Sequence, residues 1–169
     1  METLTIWLFD SADGAELAAE RVKSLARNRL ITVHDAAIVA WREGKDKPKL
    51  RQLHNLAGRG ALTGAFWGML FGLIFLVPLI GAALGAATGA LGGSLSDYGI
   101  DDDLIRQVRA EVTEGTSALF VLSSGAVIDR VREAFGGEAR PELIFTNLSE
   151  EQEKTLRDTF TTEHETETK

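Results

Sequence analysis

The sequence predicts an α+β protein, a ferredoxin-like sandwich with an inserted glycine-zipper helical hairpin. Short apolar runs alternate with helical patterns on both sides of a central stretch, residues 60–96, that contains no charged residue. Within that stretch glycine recurs at every fourth position in two separate series. We therefore divide the chain into a first half of the sandwich (1–57), the hairpin (58–97), a second half (98–160) and a flexible tail (161–169).

The first half has the pattern of strand, helix, strand. The apolar run 4–9 ends at turn-forming residues, which predicts a short buried strand. Over 12–28, apolar residues recur at helical spacing with charged residues mostly on the other side. A second strand is predicted around 31–41. Residues 50–56 fit either a short extra strand or the start of the next helix, and both interpretations stay open.

The second half repeats the pattern. Three acids, Asp101, Asp102 and Asp103, precede an apolar periodicity that predicts a helix ending near residue 114. Ser149 and Gln152 have the spacing of a capping box at the start of a final helix. The elements between are a strand at 117–122, a helix at 126–135 and a strand at 142–146. Two strand-helix-strand units predict a four-stranded sheet under two helices, and a sheet swapped between chains uses the same elements.

The glycines of the hairpin are predicted to pack helices closely and to drive oligomerisation. Spacing of four aligns them in one groove, where a neighbouring backbone can approach because no Cβ intervenes. Each glycine costs a helix about 1 kcal/mol relative to alanine, so a run of them needs a compensating contact. Pro78 separates the two series and predicts the hairpin turn. The two series are Gly60, Gly64, Gly68 and Gly72, and Gly81, Gly85, Gly89 and Gly93.

The hairpin is also predicted to meet a membrane. Each arm of some 18 residues spans about 27 Å as a helix, against about 30 Å of bilayer hydrocarbon, so two thin crossings or a re-entrant hairpin both fit. The second arm is less apolar and is predicted to be the inner helix. Preceding basic residues, Lys45 to Arg59, place the outer ends in the cytoplasm. The predicted lipid- or interface-facing residues of the first arm are Phe66, Trp67, Leu70, Phe71, Ile74 and Phe75.

Composition and motifs indicate no catalytic residue, no cofactor and no metal. A net charge of -7 disfavours nucleic acid as a partner, and the chain has no cysteine. His34, His54 and His164 lack the spacing of paired metal ligands. Neither a nucleophile elbow nor a phosphate-binding loop is present. The acids Asp97 and 101–103 are interpreted as helix-capping residues in preference to a cation site.

Several motifs in fixed order resemble a known family. They are residues 65–68 (Ala-Phe-Trp-Gly) with the glycine-rich hairpin, 97–102 (Asp-Tyr-Gly-Ile-Asp-Asp), 115–122 (Gly-Thr-Ser-Ala-Leu-Phe-Val-Leu) and 148–153 (Leu-Ser-Glu-Glu-Gln-Glu). Together they resemble an uncharacterised bacterial family of predicted membrane proteins, a domain of unknown function. The resemblance covers nearly the whole chain and implies a bacterial origin and a membrane location, but no activity.

These observations predict a non-enzymatic, membrane-associated homo-oligomer that assembles through its glycine-zipper helices. Its expected partners are other copies of itself and membrane lipid, in a bacterial inner membrane with both termini in the cytoplasm. The alternative is a soluble homo-oligomeric shell or ring in the cytosol, with the hairpins buried at subunit interfaces. An enzyme is the weakest option, because no acid, base and nucleophile stand together in the sequence.

Overall fold

The computed structural model describes residues 2–53, 64–75, 99–124, 127–134, 142–147 and 149–152, with 154 and 158. The described strands are β1 (Glu2–Phe9), β2 (Thr32–Ala40), β3 (Lys49–Gln52), β4 (Ser117–Ser124) and β5 (Glu142–Asn147). The described helices are α1 (Gly14–Arg27), α2 (Gly64–Phe75), α3 (Asp102–Glu111) and α4 (Val127–Ala134).

The five strands form one antiparallel sheet in the order β3-β2-β4-β1-β5. Strand β4 comes from the second half of the chain, yet it lies between β2 and β1 of the first half. Strand β5 pairs with the other side of β1. The two halves therefore share one sheet within a single chain, and the predicted α+β class is confirmed.

Helices cover both faces of this sheet. We call the face under α1 and α4 the first face, and the face under α2 and α3 the second face. The central strand β4 shows why both are needed. Leu119 and Val121 lie in the core of the first face, whereas Phe120 and Leu122 lie in the core of the second. A strand buried on both sides is a nearly continuous apolar run, as β4 is.

The predicted elements that the structure describes lie close to their expected positions. Boundaries move by at most three residues, the largest shift being the end of α3, which stops at Glu111 because Val112 has extended backbone. The open question over residues 50–56 is answered in part, because residues 49–52 form the edge strand β3. The tail 161–169 lies outside the described residues.

A β-bulge near the start of β2 changes which side chains reach each face. Val33 pairs with Ser123 and Asp35 pairs with Leu122, so His34 is an extra residue in the ladder. Because of this extra residue, Val33 joins the core of the first face, while the carboxylate of Asp35 is directed to the second. The bulge thus places an acidic side chain beneath α2.

Candidate functional site

Helix α2 is the part of the hairpin that the structure describes, and its inner side is buried on the second face. Phe71 meets Phe120 of β4 edge-on at 4.9 Å between ring centroids and stacks with Trp67 at 6.1 Å. The buried side chains have the i, i+1, i+4, i+5, i+8 pattern of a helix face against a sheet. They are Phe66, Trp67, Leu70, Phe71 and Ile74, each at most 6% exposed.

This placement differs from the expectation that these residues face lipid or another copy. Five of the six contact the core of their own chain, and Phe75 is partly buried against the same core. The physical reason is the second face of the sheet, which is apolar and needs a cover as much as the first. An apolar helix segment looks the same in sequence whether lipid or a sheet covers it.

A buried carboxylate fixes α2 to the sheet. Asp35 is 0% exposed, and its Oδ2 accepts a hydrogen bond from Trp67 Nε1 at 3.1 Å. Gln52 Nε2 donates to the same oxygen at 3.1 Å, and the backbone N–H of Ala36 donates to Oδ1 at 2.8 Å. A buried carboxylate is tolerated only with such donors. Sequence reasoning missed this network, although an acid inside the predicted strand 31–41 was a signal of it.

An arginine holds the other end of α2. The Nε of Arg109 donates to the carbonyl of Ile74 at 2.8 Å, and a terminal nitrogen donates to the carbonyl of Leu73 at 2.8 Å. In a continuing helix the Ile74 carbonyl would need the backbone N–H of Pro78, which proline lacks. The guanidinium of Arg109 on α3 therefore satisfies two carbonyls in the last described turn of α2.

The outer side of α2 presents glycine to open space. Gly68 is exposed, and no atom of the described residues lies within 4 Å of where its Cβ would be. Gly64 begins the helix one turn earlier, and Gly72 follows one turn later and is buried. The other predicted packing glycines and the predicted turn residue lie outside the described residues: Gly60, Gly81, Gly85, Gly89, Gly93 and Pro78.

A basic cleft of about 610 Å³ lies between α1 and the β2–β3 hairpin. Among its lining residues, Glu16 of α1 forms an ion pair with Arg51, and Asp46 is the second acid. Arg42 also pairs with Asp13 at 3.5 Å. We call residues 42–51 the basic hairpin. The basic side chains that line the cleft are Arg42, Lys45, Lys47, Lys49 and Arg51.

Trp41 connects the basic hairpin to the end of α2. Its Nε1 donates to the carbonyl of Lys45 at 2.8 Å, and its ring meets Phe75 edge-on at 6.3 Å between centroids. Phe75 is the last described residue of α2, and the sequence after it contains no charged residue until Asp97. The basic hairpin and this end of α2 are therefore neighbours in the fold.

The remaining candidate polar residues have structural roles. The Asp101 carboxylate accepts a hydrogen bond from the Leu104 backbone at 2.7 Å, which confirms its predicted capping role at α3. Ser149 and Gln152 exchange the two hydrogen bonds of a capping box at 2.9 and 3.2 Å. In the described part of the chain, no group of three His, Cys, Asp or Glu residues could hold a metal ion. Asp97, His54 and His164 lie outside that part.

Within the described ranges, no helix combines the length and the apolar character needed to cross a bilayer. Comparison with known proteins gives one match, and no curated protein or solved structure matches the chain. Residues 61–161 match the family model described as "Protein of unknown function (DUF1269)".

The matched region and the folded sheet do not coincide. The matched region begins after β3 and includes β4. Strand β4 pairs with β1 on one side and β2 on the other, and both of these strands precede the matched region. The sheet thus needs residues from both parts of the chain. Because the match covers more than half of the 169 residues, the earlier resemblance to a domain of unknown function is confirmed at that level. This chain belongs to the DUF1269 family.

Proposed function

We propose that this protein is a non-enzymatic, membrane-associated homo-oligomer whose copies assemble through the glycine side of α2. The observation that carries the proposal is Gly68, exposed on the outer side of a helix with open space where a Cβ would lie. Glycine in a helix interior costs about 1 kcal/mol relative to alanine, and nothing in the described chain uses the space. A backbone of another copy, approaching closely, supplies the missing contact.

The composition of α2 supports the same assignment. A helix on the surface of a soluble domain carries polar residues on its outer side. Helix α2 has none, because residues 64–75 contain no charged residue and Trp67, its one polar ring, donates inward to Asp35. Such a helix is stable when its outer side is covered too. In the proposed assembly, the hairpins of several copies cover one another.

The fold limits how the hairpin meets a membrane. Phe75 and Ile100, at the two ends of segment 76–98, pack against the same core on the second face. As one straight helix, these 23 residues would be about 35 Å long. If they enter and leave the bilayer on the same side, they reach a depth of about half that length. Two crossings of a core about 30 Å thick exceed this length. With α2 docked, we therefore favour a re-entrant insertion over two crossings.

We further propose the ferredoxin-like assignment, with the glycine-zipper hairpin inserted in it. The strand order β2-β4-β1-β5 and the helices α1 and α4 on one face support it, because they form two interleaved strand-helix-strand units. The inserted part begins after β2 and covers the second face with α2 and α3. In a bacterial inner membrane, this sandwich lies on the cytoplasmic side with both ends of the chain.

A substitution at Gly68 tests the assembly. Gly68→Leu puts a side chain into the open space, where an added Cβ meets no atom within 4 Å, and we expect the native mass to fall to that of a smaller oligomer or monomer. Ala110→Leu is the control, since Ala110 is an exposed helical position on α3, a different helix. Native mass spectrometry or light scattering, with circular dichroism as the check of folding, measures the result. An unchanged mass for Gly68→Leu would falsify assembly through this surface.

A soluble assembly is the second candidate, and the docking of α2 favours it. The Trp67 and Arg109 hydrogen bonds hold α2 on its own sheet, and leaving the sheet for lipid would break them. Fractionation of cells that make the untagged protein separates the candidates. Recovery with membranes after carbonate and high-salt washing supports the membrane-associated form. Recovery as a large particle in the high-speed supernatant, without detergent, supports the soluble assembly.

A further inference from the structure

We propose that the basic hairpin is a docking surface for an anionic lipid bilayer. This inference rests on the proposed membrane association and names the class of lipid that the protein recognises. It goes beyond the glycine surface, because it uses a different part of the molecule: the cations on the β2–β3 turn and the aromatic contact that joins this turn to α2.

Positive charge is concentrated along the cleft. Five of the ten residues that line the cleft are basic and two are acidic, although the whole chain has a net charge of -7. The two arginines are already engaged, Arg51 with Glu16 and Arg42 with Asp13. In the described part of the chain, no ion pair joins the three lysines at positions 45, 47 and 49 to an acid.

The basic side chains are accessible to a broad surface. All five are exposed, and those at positions 45, 47, 49 and 51 alternate along the turn and the edge strand. Small anions are usually held in enclosed pockets with a few converging polar groups. Lysines exposed at the mouth of an open cleft suit a broad surface of negative charge, to which each contributes separately. A clustered basic segment of this kind next to an apolar segment is typical of attraction to anionic headgroups.

The basic hairpin lies beside the end of α2. The Trp41 contacts with the Lys45 carbonyl and with the Phe75 ring hold the basic hairpin beside the end of α2. In the sequence, the stretch 76–96, which contains no charged residue, follows the end of α2 directly. A bilayer that receives this segment brings its headgroups to the level of the hairpin. The cations and the apolar segment therefore meet one membrane surface together, and an aromatic ring between them suits the interface.

Binding of the full chain to lipid vesicles tests the proposal. Phosphatidylcholine vesicles are compared with vesicles in which about a third of the lipid is phosphatidylglycerol. The triple variant Lys45→Gln, Lys47→Gln, Lys49→Gln should bind the anionic vesicles about 100-fold more weakly than wild type at low salt, at about fivefold per lysine. Salt near 0.5 M should remove most of the difference, because the Debye length falls to about 4 Å.

A matched control removes the same net charge elsewhere. Arg106→Gln, Arg130→Gln, Lys154→Gln changes three exposed basic residues far along the chain from the hairpin and should bind like wild type. Equal binding of wild type and both variants to both vesicle types would overturn the docking surface while leaving membrane association in place. Binding to neither vesicle type counts against membrane association itself. Displacement of the vesicles by duplex DNA at equal phosphate concentration would identify nucleic acid as the occupant and also overturn the proposal.

Discussion

Helices α1 and α2 cover opposite faces of one sheet, but only α1 is suited to water on its outer side. Its inner side is made of small residues, Ala15, Ala18 and Ala19 among them, which bring the helix close to the sheet. Its outer side is charged. Lys23 donates a hydrogen bond to the Glu20 carboxylate at 2.7 Å, and this bond together with the nearby positive charge lowers the pKa of Glu20.

Helix α2 has the opposite arrangement. Large aromatic side chains fill its inner side, and its polar contacts are directed inward, through Trp67 to Asp35, or come from Arg109 at its end. Its outer side offers Gly68 and partly buried apolar neighbours. Both sides of α1 therefore have suitable surroundings within one chain, the sheet inside and water outside. Helix α2 has suitable contacts on its inner side, but no described partner on its outer side. The predictions below test each side of α2 against α1.

The largest effect is expected at the inner side of α2. Trp67→Ala should lower the free energy of unfolding by about 3 to 5 kcal/mol, because it leaves a cavity and removes a donor from the buried Asp35 carboxylate. Leu17→Ala on α1 is the control and should change stability by less than about 0.5 kcal/mol, since Leu17 is 66% exposed. Denaturant unfolding followed by far-ultraviolet circular dichroism measures both.

A second variant separates the contribution of the Trp67 ring to stability from that of its hydrogen bond to Asp35. Trp67→Phe keeps most of the aromatic volume and loses the Nε1 donor, so it should cost about 1 to 3 kcal/mol. If Trp67→Ala costs no more than Leu17→Ala, then α2 is not docked on the sheet in solution, and the comparison between the two helices fails.

The sandwich was largely predictable because its signals are local. A strand such as β4 is a compact apolar run between turn residues, and the α1 periodicity repeats over almost four turns of helix. The Asp101 cap and the Ser149–Gln152 capping box depend on residues three apart. In the observed order, each strand-helix-strand unit leaves a gap that is filled by a strand of the other.

The second face was not predictable because its contacts are distant in sequence. Asp35 and Trp67 are 32 residues apart, and Arg109 is 35 residues from Ile74. Nothing local marks Asp35 as a partner of a tryptophan, since its direction depends on the bulge at His34. One side of α2 is buried on the sheet, so the neighbour of residues such as Phe71 is the sheet and not lipid. Apolar composition alone does not distinguish these two environments.

A medium effect is expected at the end of α2. Arg109→Gln removes the guanidinium from the Leu73 and Ile74 carbonyls and should cost about 1.5 to 3 kcal/mol, because both bonds involve a charged, half-buried donor. Hydrogen exchange of the peptide covering residues 64–75 should speed up more than exchange in α1. Arg106→Gln is the matched control on the same helix. Its exposed ion pair with Asp103 should be worth at most about 1 kcal/mol, and equal effects of the two variants would show that Arg109 does not hold α2.

The smallest change in the free energy of unfolding is expected at Gly68. Whether the change stabilises or destabilises the chain distinguishes a single chain from an assembly. In a single chain, Gly68→Ala should stabilise the fold by up to about 1 kcal/mol, because alanine favours a helix and its Cβ meets no described atom. In an assembly that brings another backbone against Gly68, the same methyl group should weaken association. We therefore expect a higher unfolding midpoint at high dilution together with a lower native mass at high concentration. Ala110→Gly, the reverse change at an exposed site of α3, should lower stability by a similar amount and leave the mass unchanged. A stabilised Gly68→Ala with its mass intact would mean that the outer side of α2 is covered by something other than a close-packed copy of this chain.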